Sequence, residues 1–116
     1  MFEMKLRHRA VPLEKTIERS LVRQVKQAGG KAYKFNSEMN RGVSDRLIVF
    51  PGQVWFVEVK RPGGQLTALQ KSFRTLIRDK LKLNYFLVND ELTIEVFLNK
   101  VKERTRNDKS TKAKNI

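Results

Sequence analysis

The most restrictive feature of this sequence is a strand-like run that is apolar until its last residues. Val54 to Lys60 reads Val-Trp-Phe-Val-Glu-Val-Lys, the β-branched and aromatic composition of a strand near the centre of a sheet. Charges in such a run are costly unless they are paired or coordinate a metal. Just upstream, Arg46 to Phe50 (Arg-Leu-Ile-Val-Phe) is a second β-rich run, and Pro51-Gly52-Gln53 separates the two. The pair predicts a hairpin. If Pro51-Gly52 is a two-residue turn, Phe50 faces Gln53 and, counting outward along both strands, Asp45 faces Glu58. Directly opposed residues point to one face with Cβ atoms roughly 5 Å apart. Alternation puts Lys60 on that face as well and turns Val57 and Val59 into the opposite layer. Pro-Gly favours a type II turn rather than the usual hairpin turns, so a register slip of one residue is the alternative.

Two adjacent carboxylates raise one another's pKa unless a cation sits between them, so Asp45 beside Glu58 suits a hard divalent ion, Mg²⁺ or Mn²⁺. Mg²⁺ usually takes one or two carboxylates and leaves room for water and phosphate oxygens. Lys60 is placed to orient or help deprotonate an attacking water and to offset charge developing on a phosphate. Taken singly, Asp45 also fits a capping residue before a strand, and Glu58 and Lys60 a solvated same-face pair. The combination inside an apolar strand is what weakens those readings.

The rest of the chain supplies a frame. Leu13, Ile17, Leu21, Val22, Val25 and Ala28 recur at helical spacing between Pro12 and Gly29-Gly30, which predicts a first helix. Residues 31–36 suit an edge strand and residues 37–43 a polar loop. After the breaker Pro62-Gly63-Gly64, the positions of Leu66, Leu69, Phe73, Leu76, Ile77 and Leu81 predict a second helix over 67–82. Asn84 to Val88 reads as a short strand. Asp90 can cap a last helix with Ile94, Phe97, Leu98 and Val101 inward, although the β-branched stretch 93–98 leaves a strand open. The order α-β-β-β-α-β-α describes a single α/β domain, a mixed central sheet flanked by helices. The expected layout is a basic arm over 1–11, the folded domain over 12–103, and a disordered basic tail over 104–116 in which no apolar period survives.

Two helical residues join the candidates. Glu18 lies three, four and seven residues before Leu21, Val22 and Val25, which puts a third carboxylate on the inward stripe; pairing of Glu18 or Glu14 with a nearby Arg or Lys is the competing account. Gln70 shares a face with Phe73 and Ile77, and reads either as a site residue or as an amide satisfied locally.

Lys and Arg number 25 against 12 acidic residues in 116, a formal charge of +13. Nucleic acid is the partner such a field suits. Arg41, Arg46, Arg61 and Lys71 flank the proposed site as candidates for phosphate contacts, each with an ordinary solvated charge as its alternative. His8, the one histidine, belongs with Lys5, Arg7 and Arg9 in a basic leader. No apolar run approaches the roughly 20 residues that span a bilayer, so no membrane partner is expected. Met1 to Lys5 lacks the pattern of a secretory signal and there is no cysteine, so the expected location is intracellular, cytoplasmic for a bacterial or phage-encoded chain.

Glu18, Gly42-Val43-Ser44-Asp45, Glu58-Val59-Lys60 and Gln70 together resemble the VRR-NUC family of the PD-(D/E)xK nuclease superfamily, in which a helix Glu precedes Gly-x-Pro-Asp, a Glu-x-Lys strand and a downstream Gln. The resemblance spans roughly Glu14 to Val88, with Ser44 standing where the family usually has Pro. It implies a restriction-endonuclease-like fold in which Asp45, Glu58 and the Val59 carbonyl hold Mg²⁺ or Mn²⁺. Glu18 would contribute directly or through water, and Lys60 and Gln70 would assist. Short free-standing members resemble homodimeric structure-selective endonucleases, similar to archaeal Holliday-junction resolvases. The expected function is therefore metal-dependent cleavage of branched DNA. The rivals are a non-catalytic basic nucleic-acid-binding protein, or a nuclease acting on flaps or other DNA structures.

Overall fold

The computed structural model describes residues 13–35 and 42–114, the side chains of 109–114 excepted. Helix α1 spans Glu14–Gln27 and is followed by β1 Lys31–Lys34, β2 Arg46–Phe50 and β3 Gln53–Val59. Helix α2, Ala68–Arg74, widens into a π-helical stretch over Thr75–Lys80, and then come β4 Tyr85–Val88 and helix α3 Glu91–Lys114. The element order is the one the apolar periodicity predicts. The sheet runs β1-β2-β3-β4; β1–β2 and β2–β3 are antiparallel, whereas β4 lies parallel to β3. A parallel neighbour needs a crossover, and α2 provides it. This mixed α/β sheet with helices on it is consistent with a PD-(D/E)xK-like fold.

The two faces of the sheet are unlike. On one, α1 contributes Ile17, Leu21 and Val25 and α3 contributes Ile94, Phe97 and Val101, which close over Ile48, Phe50, Trp55, Val57, Val59 and Val88. Phe97 is the centre of this layer, its ring 5.2 Å from Trp55 edge-on and 5.5 Å from Phe86. Its spacing of three and four residues from Ile94 and Val101 explains why 91–101 is helical despite its β-branched content. Asp90 fixes the start, its Oδ1 accepting the Thr93 N–H at 2.8 Å. On the other face α2 lies over the β3–β4 side, where Phe73 meets Phe56 edge-on at 5.8 Å and Phe56 stacks on Phe35 at 6.2 Å.

The expected tail corrects itself in the structure: α3 continues to Lys114 instead of ending near residue 103. Polar and cation–π contacts hold the first turn of the extension, at Arg104 and Thr105, where apolar periodicity stops. Gln53 Nε2 donates to the Val101 carbonyl at 3.0 Å and to Thr105 Oγ1 at 2.9 Å. The Arg104 guanidinium lies 4.7 Å from the Trp55 ring and also donates to Asn84. The expected arm over 1–11, with His8, lies outside the described residues, as does Arg41.

Candidate active site

Strand β2 pairs with β3 from Phe50 opposite Gln53 to Arg46 opposite Val57, so the next outward pair is Asp45 with Glu58. The register has not slipped. Gly52 takes φ 75°, the positive value that a Pro-Gly type II turn requires at its second position, and the strands accept that turn without a bulge. Asp45 sits one residue before β2 and is tied on both sides. Its Oδ2 accepts the Val59 N–H at 3.0 Å, and its carbonyl accepts the Phe35 N–H at 3.0 Å. The N–H and C=O of one strand residue point to the same side, so the Val59 carbonyl is directed to the edge that Asp45 occupies. The approach to Asp45 depends on Gly42 at φ 88°. A Cβ there would fall 2.6 Å from the Leu69 carbonyl oxygen, so only glycine lets this segment run against the first turn of α2.

Glu58 is 2% exposed. Gln70 Nε2 donates to its Oε1 at 2.8 Å, while the other end of the same amide, Gln70 Oε1, accepts the Thr67 N–H at 2.9 Å. Thr67 Oγ1 in turn accepts the Gln70 N–H, which completes a capping box at the start of α2. One amide thus caps the start of its helix and hydrogen-bonds the Glu58 carboxyl. Burial first, and then the charge of Asp45, push the Glu58 carboxyl up to about 8, with Lys60 pulling the other way. A buried carboxyl whose ionisation is opposed by a second carboxylate beside it fits a hard cation. Among the described residues no group of three His, Cys, Asp or Glu side chains converges. The protein's donors would therefore be Asp45, Glu58 and the Val59 carbonyl, a set of the size Mg²⁺ accepts.

Glu18 departs from its expected place. It is not brought to the Asp45–Glu58 pair but forms an ion pair with Arg46, Oε2 to Nε 2.8 Å, both side chains largely buried at 18% and 16% exposure. The cause is strand parity. Arg46 lies opposite Val57 and so emerges on the α1 side of the sheet, whereas Asp45 and Glu58 face α2. Arg46 is thereby held by Glu18 and turned away from the position expected of a phosphate contact. Arg61 and Lys71 are solvent-exposed.

Glu14, one turn earlier on α1, is the helix carboxylate that senses the site. Partial loss of solvation, then the charge of Asp45, hold its carboxyl above the usual range, opposed by Lys60 and Arg61. Its place three residues before Ile17 and one turn before Glu18, at the exposed start of α1, was the available signal. Tyr85 carried no such signal. The parallel register sets it beside Phe56 on the Glu58 face, and burial first, then Glu58, push its hydroxyl up to about 12. Ser44 is fully buried and its hydroxyl has no hydrogen-bond partner among the described residues.

No family model matches the chain. Among curated proteins, the chain is similar to a protein of Acyrthosiphon pisum secondary endosymbiont phage 1 named "Putative nuclease p44", at 50% identity over 58 residues. The match covers 49% of this chain and 62% of that protein's length.

Proposed function

We propose that this chain is a Mg²⁺- or Mn²⁺-dependent endonuclease that hydrolyses phosphodiester bonds in structured DNA, four-way junctions foremost, as a stand-alone VRR-NUC protein of the PD-(D/E)xK superfamily. The observation that carries the reading is the buried Glu58 carboxyl set against Asp45, on one face with Lys60, in a chain of net charge +13. A protein that only binds phosphate gains nothing from aiming two carboxylates at a polyanion. The nuclease name of the phage relative points the same way.

In this reading Asp45, Glu58 and the Val59 carbonyl hold the cation, which supplies Lewis-acid polarisation of a phosphate oxygen and neutralises charge. Gln70 keeps the Glu58 carboxyl turned toward Asp45 through its 2.8 Å hydrogen bond. Lys60 orients the attacking water and offsets the charge that builds on the scissile phosphate. Symmetric incision of a four-way junction requires two sites related by a two-fold axis, so the acting species is a homodimer. No helix among the described residues is long and apolar enough to cross a membrane.

The test is incubation of pure protein with end-labelled four-way junction, flap, duplex and single-stranded DNA, with and without Mg²⁺. Paired nicks in the junction that need the metal support the reading. Binding without cleavage under every condition returns the protein to the class of basic binders.

A further inference from the structure

The outer side of α2 carries a small concavity of about 270 Å³ lined by Lys71, Ser72, Thr75, Leu76 and Lys80. Two features give it a chemical character. First, its polar lining consists of two lysines and two hydroxyl-bearing side chains, with no acidic residue among them. The neighbouring acid, Asp79, is occupied by Arg78, Nε to Oδ1 at 2.7 Å, so the lysine charges are not cancelled locally. Second, the hollow lies where the α-helix gives way to six residues of π-helix, Thr75–Lys80. A π turn is wider than an α turn, is rare, and recurs at functional sites.

The position of the hollow relative to Gln70 decides which phosphate it could hold. Lys71 follows Gln70 directly, whereas Lys80 lies ten residues on, about 15 Å along the axis at α-helical rise. Gln70 touches Glu58. A phosphate between Lys71 and Lys80 is therefore not the one being cut.

We infer that this hollow on the π-helical stretch of α2 is a subsite for a non-scissile backbone phosphate of nucleic acid, held by Lys71 and Lys80 with the Ser72 and Thr75 hydroxyls as donors. The inference rests on the proposed nuclease function and adds a second anchor to it: one phosphate at the carboxylate pair and another about one and a half turns of helix away. Two anchors fix the direction in which a strand crosses the site, which a single cation cannot do.

The experiment measures Kd for fluorescent duplex DNA in EDTA, where no cutting occurs, between 50 and 200 mM NaCl. Wild type is compared with the double variant Lys71→Gln/Lys80→Gln and with a charge-matched control, Lys26→Gln/Lys102→Gln, whose exposed lysines lie elsewhere. Neutralising one phosphate fewer lowers the slope of log Kd against log salt by about one. The subsite predicts that loss in the first double variant, with Kd about tenfold weaker at 50 mM, and less than half of it in the control. Equal slopes in the two variants overturn the subsite. If wild type still cuts DNA with Mg²⁺ in that case, the nuclease reading survives alone. A lowered slope in a protein that never cuts overturns the nuclease reading and leaves a phosphate-binding surface, and no salt-dependent binding at all overturns both.

Discussion

The two faces of the sheet are built by different rules. The face under α1 and α3 is closed by apolar side chains from every layer, with Trp55, Phe97, Val57 and Val59 at or below 1% exposure. The face under α2 has one helix, and its most buried side chain beside the strands is a carboxyl, Glu58 at 2%. Alternation along β3 alone separates them: Trp55, Val57 and Val59 go one way, Phe56 and Glu58 the other. Stability is thus concentrated on one side and unpaid electrostatic cost on the other, the division expected when a strained site is carried by a scaffold that can tolerate it.

Four measurements would break or sharpen that contrast. Asp45→Ala should lower Mg²⁺-dependent cleavage by about a thousandfold or more while the thermal transition persists, since charge stabilisation at the reacting centre is worth about 3–4 kcal/mol or more. Loss of the fold along with the activity would place Asp45 in the scaffold instead. Phe97→Ala, on the other face, should cost about 3–5 kcal/mol in denaturant unfolding. A change below about 1 kcal/mol would mean that the α1/α3 layer is not the source of stability.

The third measurement is a pH series. Unfolded Glu58 ionises near 4.5 and folded Glu58 near 8, so between those values unfolding releases a proton. The metal-free protein should lose up to a few kcal/mol as pH rises from about 4.5 to about 8, relative to Glu58→Gln, and no more above it. Saturating Mg²⁺ should restore stability at the upper end by displacing that proton. Parallel pH curves for wild type and Glu58→Gln would remove the contrast between the faces. The smallest effect belongs to Ser44→Ala. Removing a buried hydroxyl that has no partner among the described residues should raise stability by about 1 kcal/mol, read as a shift in denaturant midpoint.

The contrast between faces was legible in the sequence only where period-two and helical patterns were strong. The hairpin register, and with it the meeting of Asp45 and Glu58, followed from counting outward from Pro51-Gly52. The helices followed from apolar spacing, and Gln70 from its place relative to Phe73. What escaped was set by tertiary contact. Glu18 sits on the inward stripe as its spacing predicts, but the stripe crosses the sheet where Arg46 emerges, so an ion pair takes the carboxylate. The continuation of α3 past Val101 is met by Gln53, Trp55 and Asn84 at Arg104 and Thr105, and no one-dimensional period records such contacts. The π-helical stretch after Arg74 has no propensity signature either, since the sequence 75–80 is compatible with an ordinary helix.

Gln70 has its carbonyl committed to Thr67 and its amide to Glu58. Fraying of the first turn of α2 therefore frees the acidic side chain beneath it, and that turn has no buried residue of its own to resist opening. Heat should silence the proposed Mg²⁺-dependent cleavage some degrees before the hydrophobic interior melts, and cooling should bring it back.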